Sequence, residues 1–359
     1  MRLRCDMASI RGYVPGHQPA DDGWVKLNTN ESPTASPAAI RAMRASADES
    51  IRLYPDPTSS ALCTAAARRH HVSENQVVFG NGSDDLLNLI VRVACDPGDR
   101  VVAATPSYSL YPVLAAVGGC EIRQIPLSGS FDLPVRQMAA ARGKVTFVAS
   151  PNNPAGTHYT PDSLRWLAAR VNLLVVDEAY VDFARADNVA LLREFQNVCI
   201  TRSFSKGFGL AGLRLGYALT SPLLADALMR VKDSYNVSRI AQAAGLAALS
   251  DIDWAMSHWE AIRQRRDAFA TMMAERFGLK VHPSEANFVF VELAGYDAAG
   301  VQQKLADQRI LVRRFVDDTR IANAIRISIG SEKDMRALED VLGVVLDGQR
   351  TSGVTGADG

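Results

Sequence analysis

The sequence predicts an α/β protein with a large part built on a mostly parallel seven-stranded sheet covered by helices, followed by a small α+β C-terminal domain. Two observations carry this expectation. From about residue 76 to 219, short apolar runs alternate with segments of helical period, and that alternation calls for crossover connections and a sheet buried on both faces. After Ser221 the pattern changes: helical periodicity dominates to about Phe277, and strand-like and helical runs then intermix. The length of 359 residues leaves room for two domains at roughly 150 residues each.

The strand candidates are, in order, Val77–Phe79, Arg100–Thr105, Glu121–Ile125, Lys144–Ala149, Asn172–Val176, Val198–Arg202 and Leu215–Leu219. Each is short, apolar and bounded by turn-forming residues, as buried strands are. Helical period is clearest at Asp84–Cys95, where Leu86, Leu87, Ile90, Val91 and Ala94 fall on one side. In the C-terminal part, Trp254, Met256 and Trp259 lie within a long helical stretch. Asn287–Leu293, Ile310–Phe315 and Ala324–Ile329 read as strands, and 299–308 and 332–346 as helices. The expected division is an N-terminal arm (1–40), a large domain (41–250), a small domain (251–350) and a flexible, small and polar tail (351–359).

Composition narrows the function. Lys and Arg number 39 and Asp and Glu also 39, a net charge of zero, with 47% hydrophobic and 22% charged residues. A nucleic-acid or membrane-surface protein would show a basic excess, so neither partner is expected. Cys5, Cys63, Cys95, Cys120 and Cys199 are odd in number and form no CxxC pair, which suits reduced core thiols. His70 and His71 are adjacent and no other histidines have metal-site spacing, so no metal is expected. The N-terminus lacks a signal-peptide core and no apolar run is long enough to span a bilayer, which points to the cytoplasm.

In a parallel sheet, ligands sit at the carboxyl ends of the strands, and four loops there carry chemistry. Gly80-Asn81-Gly82-Ser83-Asp84-Asp85 precedes a helix. Its backbone N–H groups suit an anion, although a tight turn with Ser83 or Asp84 as N-cap accounts for it equally well. Ser150-Pro151-Asn152-Asn153-Pro154-Ala155-Gly156-Thr157 is a stiff turn that fixes an amide side chain at the sheet edge. Asp177-Glu178-Ala179-Tyr180 puts a carboxylate at the end of a buried strand, costly unless a cation meets it. The fourth loop, Ser203-Phe204-Ser205-Lys206-Gly207-Phe208-Gly209-Leu210-Ala211-Gly212-Leu213-Arg214, sets a lysine among hydroxyls with an arginine eight positions on. A desolvated lysine forms Schiff bases, and two hydroxyls plus an arginine bind phosphate, at about 1.5–3 kcal/mol per charge-assisted bond. One ligand satisfies all four loops: pyridoxal phosphate, with its phosphate, its aldehyde and a ring nitrogen that takes a carboxylate partner.

In order and spacing these motifs, with Tyr54-Pro55-Asp56-Pro57 and Pro106-Ser107-Tyr108, resemble those of the fold-type I aminotransferases. Among these the chain is most similar to the histidinol-phosphate aminotransferase family, from Leu27-Asn28-Thr29-Asn30-Glu31 to Arg326-Ile327-Ser328-Ile329-Gly330. The resemblance implies a pyridoxal-phosphate-dependent transferase fold and a homodimeric aminotransferase working in two half-reactions. Its small-molecule substrates would be an amino donor, glutamate, and a keto acceptor that becomes histidinol phosphate. It implies that Lys206 binds the cofactor's aldehyde and moves the proton, and that Asp177 holds the ring nitrogen protonated. Asn153 and Tyr180 would bind the phenolic oxygen and Tyr108 would stack on the ring. The phosphate would sit on Ser203, Ser205, Arg214 and the backbone at Ser83 and Asp84, with Tyr54 reaching it from the partner subunit. Arg326 would clamp the substrate carboxylate, while Arg313 and Tyr13 are candidates for the substrate's distal group. Asn153 also belongs to the substrate side.

The sequence departs from the family pattern in three places. Ala155 stands where Thr is usual, and Ser203 where Thr is common. Arg313, Arg314 and Arg320 crowd the substrate end, leaving open which of them reads the distal group. Related activities share most of these motifs: an aromatic-amino-acid aminotransferase, and a decarboxylase of phosphorylated amino acids. A cofactor-sensing regulator on this fold would need a DNA-binding segment longer than residues 1–30, and a dinucleotide-dependent dehydrogenase would need a GxGxxG loop.

Overall fold

The computed structural model describes Met7 and residues 10–350. The tail expected at 351–359 lies outside the described residues, as do 1–6, 8 and 9 of the expected arm. The central sheet has seven strands in the order Val77–Gly80, Gly216–Thr220, Val198–Ser203, Leu174–Asp177, Val145–Ala149, Arg100–Thr105 and Glu121–Pro126. Only Gly216–Thr220 runs against its neighbours; every other pairing in the sheet is parallel. Asp177 is therefore level with Ala149 on one side and Thr201 on the other, and the strands end together along one edge.

Both faces of the sheet are covered, and the strands show it residue by residue. Leu174 and Val176 pack into one core, while Leu173 and Val175 point into the other. The second core is closed by Leu86, Leu87 and Ile90 of the helix Ser83–Ala94, Leu114 of Leu110–Val117 and Leu228 of Pro222–Val231. The first runs under the helices Ser60–His70, Pro161–Ala168 and Arg239–Ser250 and continues into the C-terminal part. Each such side chain, when fully buried, contributes about 1.5–3 kcal/mol.

The C-terminal part is an antiparallel four-stranded sheet, ordered Arg313–Arg314, Ala324–Ser328, Phe288–Glu292 and Lys280–His282, with helices Ala298–Asp307 and Glu332–Arg350. The helical stretch before it is three helices, the last running from Ile252 to Phe277 and ended by Gly278 in the left-handed conformation. Ile310–Phe315, read as one strand, divides. Ile310–Leu311 pairs in parallel with Val25–Lys26, whereas Arg313–Arg314 joins the four-stranded sheet. Hydrophobic alternation alone does not reveal that a strand changes partners midway. No helix among the described residues is long and apolar enough to cross a membrane.

Candidate active site

A cavity of about 940 Å³ opens at the carboxyl ends of the strands, between the large sheet and the strand Ala324–Ser328. Ser83, Asp84, Tyr108, Asn153, Asp177, Tyr180, Ser203, Ser205, Lys206 and Arg214 all line it. Tyr13, Arg313, Arg314, Arg320 and Arg326 line it as well. Tyr54 is the exception: it is 75% exposed and stacks on Tyr235 at 4.3 Å, away from its own chain's cavity.

One end of the cavity gathers donors that suit an anion. Gly82, not Ser83 or Asp84, occupies the N-cap of the helix Ser83–Ala94 with φ 88°, and no side chain caps the first turn. Its N–H groups stay available to a ligand. A Cβ on Gly82 would lie 2.7 Å from the Arg214 guanidinium, so glycine is required both for its φ and for the close approach. Arg214 reaches Ser205 Oγ at 3.5 Å and Asp84 at 3.3 Å, long contacts that leave it free to take stronger acceptors. Ser203 Oγ accepts the Ser205 N–H at 3.1 Å. The Asp84 carboxylate is held by the Tyr108 hydroxyl at 3.1 Å.

At the centre lies Asp177. The Tyr111 hydroxyl donates to its Oδ2 at 2.8 Å, while Ala179 N–H and the Thr201 hydroxyl reach Oδ1 at 3.3 and 3.4 Å. Burial pushes the Asp177 carboxyl up to about 6, against the pull of the Tyr111 bond. Lys206 is half-buried, and its Nζ donates to the Thr29 carbonyl at 2.9 Å. Burial, helped by the charge of Arg326, brings its pKa down to about 8. The Tyr180 hydroxyl accepts from Asn30 Nδ2 at 3.0 Å, and burial raises its pKa.

The far end is cationic. Arg326 donates to Asn153 Oδ1 at 2.6 Å and to the Asn28 carbonyl at 2.7 Å, yet its Nε is buried with no partner among the described residues. Burial lowers its pKa to about 10, so it stays charged at neutral pH. The neighbouring Asn152 turns inward instead, accepting Ala155 N–H at 3.2 Å and donating to the Pro106 carbonyl at 3.3 Å. That division explains why the loop carries two asparagines. Arg320 is committed to Asp318 and to the Thr105 carbonyl at 3.1 Å. Arg313 makes one long bond, to the Val14 carbonyl at 3.4 Å. Tyr13 meets Tyr108 edge-on at 5.7 Å.

Three contributors escaped the sequence reading. Tyr111 follows Tyr108 by one helical turn, a spacing that could have flagged it. Asn30, part of the Leu27–Glu31 motif but given no role there, reaches Tyr180 from a loop distant in sequence. Glu178 and Arg202 form an ion pair at 2.7 Å with side-chain exposures of 0% and 6%, directly beside Asp177 and Ser203. Pairing between two adjacent strand ends cannot be read from either strand alone.

The donor set fits a pyridoxal phosphate: hydroxyls, arginine and free helix N–H groups at one end, a buried carboxylate at the ring position, an amine between them and an unpartnered guanidinium N–H beyond. Comparison with known proteins agrees. A model of the family "Aminotransferase class I and II" matches residues 22–342. A histidinol-phosphate aminotransferase of Synechocystis sp. is 41% identical over 94% of this chain and 96% of its own length. One of Citrifermentans bemidjiense is 41% identical over 93% of this chain and 95% of its own. Among solved structures, the histidinol-phosphate aminotransferase of Sinorhizobium meliloti in complex with pyridoxal-5'-phosphate superposes with a TM-score of 0.84. It is 29% identical and covers 90% of this chain and 91% of that one. The aspartate aminotransferase of Thermus thermophilus with maleate shares the fold, at a TM-score of 0.78 and 24% identity over 90% and 92% of the two chains.

Proposed function

The chain belongs to the class I and II aminotransferases, and from that premise we propose that it moves an amino group between glutamate and the keto precursor of histidinol phosphate, using pyridoxal phosphate. The observation that carries the substrate reading is that the cavity has two anion-binding ends. Arg214, Ser203, Ser205 and the N–H groups at Ser83 and Asp84 serve the cofactor phosphate. Arg326, with its unpartnered Nε, and the loosely held Arg313 serve a second anion, the substrate's phosphate or carboxylate. The relatives' described activity supports the same reading.

When bound, pyridoxal phosphate supplies an aldehyde for amine exchange and a protonated ring that draws electrons from the substrate's Cα. The protein's part is orientation and proton handling. Asp177, ionised above about pH 6, keeps the ring nitrogen protonated. Asn153 and Tyr180 would hold the phenolic oxygen, and Tyr108 would cover one face of the ring. Lys206, with a pKa near 8, exists partly as the free amine at neutral pH, and so takes the proton from Cα and returns it. Arg326 fixes the substrate's angle, with Tyr13 closing the distal side.

We place the enzyme in the cytoplasm as a homodimer. The exposed apolar cluster of Ile51, Leu53, Tyr54 and Tyr235 supports the dimer, with Tyr54 serving the partner's phosphate site. Steady-state kinetics with histidinol phosphate, phenylalanine, tyrosine and phosphothreonine, each with 2-oxoglutarate, tests the substrate. Histidinol phosphate should lead in kcat/KM. A higher value for phenylalanine or tyrosine would replace it with an aromatic-amino-acid reading, and carbon dioxide release from phosphothreonine with a decarboxylase.

A further inference from the structure

We propose that Tyr111 is a positioning residue of the reaction: its hydroxyl holds Asp177 ionised and oriented, and so keeps the cofactor's ring nitrogen protonated. The inference rests on Asp177 being that nitrogen's partner.

The geometry leaves Tyr111 little choice. Its side chain is fully buried in the helix Leu110–Val117. One face lies flat on Phe147 of the central strand Val145–Ala149, at 4.8 Å and 5°. Tyr108, the residue that lines the cavity beside it, meets it at 5.6 Å and 88°. Ring rotation is blocked, and the hydroxyl is aimed at Asp177 Oδ2 at 2.8 Å. Burial and the neighbouring carboxylate raise the Tyr111 pKa well above its ordinary value, so this hydroxyl acts as a donor throughout the working pH range.

Asp177 depends on that donor. Its other two bonds, from Ala179 and Thr201, are long and share Oδ1. The titratable groups facing it are Tyr111 and Tyr108, Asp84 from the helix Ser83–Ala94, and Tyr180. Asp177 makes no ion pair among the described residues, and Asp84 disfavours its ionisation. Tyr111 is thus the shortest contact that opposes the cost of burial. A charge-assisted hydrogen bond of this kind moves a carboxyl titration by roughly one to two pH units.

The test uses holoenzyme reconstituted with pyridoxal phosphate labelled with nitrogen-15 in the ring, its chemical shift followed from about pH 6 to about pH 9. In the wild type the ring nitrogen should be protonated throughout, and in Asp177→Asn it should not. In Tyr111→Phe, which removes only the hydroxyl, the shared proton should shift from the ring nitrogen toward Asp177, leaving the nitrogen partly unprotonated. kcat should fall about two- to tenfold with little change in KM, at pH 7 and pH 8 alike, because the proton moves between the two partners and is not taken up from solution. Phe147→Leu disturbs the packing but keeps the hydroxyl, and should leave the nitrogen signal as in the wild type. If Tyr111→Phe folds poorly, 2,3-difluorotyrosine at position 111, a stronger donor, should displace the nitrogen-15 signal further toward its protonated value. A Tyr111→Phe enzyme with the wild-type nitrogen signal and kcat, or a fluorinated enzyme with no displacement, overturns the proposal. If Asp177→Asn also matches the wild type, the underlying assignment of Asp177 is what has failed.

Discussion

Replacing Arg202 with leucine should destabilise the protein far more than a single lost contact suggests. Arg202 lies 2.7 Å from Glu178, whose side chain is 0% exposed, and 3.0 Å from the part-exposed Asp187. Without Arg202, Glu178 keeps only the two bonds from the Asn188 backbone and side chain, each 2.9 Å. A buried charge left without its partner costs about 3–5 kcal/mol. Unfolding entropy near 2.1 cal/mol/K per residue gives about 0.75 kcal/mol/K for 359 residues, so Tm should fall by about 4–7 °C. Burial already pushes the Glu178 carboxyl up, with Arg202 pulling it back. Removing Arg202 raises it further above its unfolded value, so the variant gains relative stability as pH falls through that raised value. The deficit should therefore be full at pH 8 and smaller at pH 5. Arg202→Leu combined with Glu178→Leu should regain most of the loss, because no buried charge remains. Calorimetry of the holoenzyme reads all three. A single variant within about 1 °C of wild type at pH 8, or a double variant no better than the single, refutes the reasoning.

Two further outcomes follow from the site. Capture of pyridoxal phosphate by the apoprotein should rise roughly tenfold between pH 7 and pH 9, as the Lys206 amine loses its proton near 8. In Arg326→Leu the midpoint should move to higher pH, since Arg326 helps to lower it; a midpoint unmoved there would mean that burial alone sets it. Mixing inactive Tyr54→Phe and Lys206→Ala subunits should restore part of the activity if Tyr54 acts across the dimer. Mixtures as inactive as their parents would confine Tyr54 to its own chain's surface.

Much of this molecule was legible before its structure, and for a physical reason. Asp177 ends a buried strand, Asn153 and Lys206 sit in loops that directly follow apolar runs, and a parallel sheet brings such strand ends and loops to one edge whatever their separation in sequence. Local pattern therefore sufficed. It failed where meaning depended on which elements become neighbours. Tyr111 looks like one more apolar helix residue until the sheet sets Asp177 beneath it. Arg202 lies in one strand and Glu178 just past the end of its neighbour, and their pairing exists only in the assembled sheet. The division of 310–315 between two sheets is equally invisible, because both halves satisfy the same alternation. At the phosphate end, sequence left a plain N-cap as an equal alternative, and the Gly82 backbone decided against it.

The loop Asn28–Asn30 has a consequence of another kind. Its Asn28 carbonyl takes Arg326, its Thr29 carbonyl takes Lys206, and the Asn30 amide reaches Tyr180. The loop follows a parallel ladder only two rungs long, Val25–Ile310 and Lys26–Leu311, and Ser328 fastens it through Leu27 and Asn30. Three working groups from three elements thus hang on one short strap, Asn28–Asn30, whose hold on the hydrophobic core is Leu27 at its base. Local detachment of that strap would silence the enzyme while both cores stayed folded.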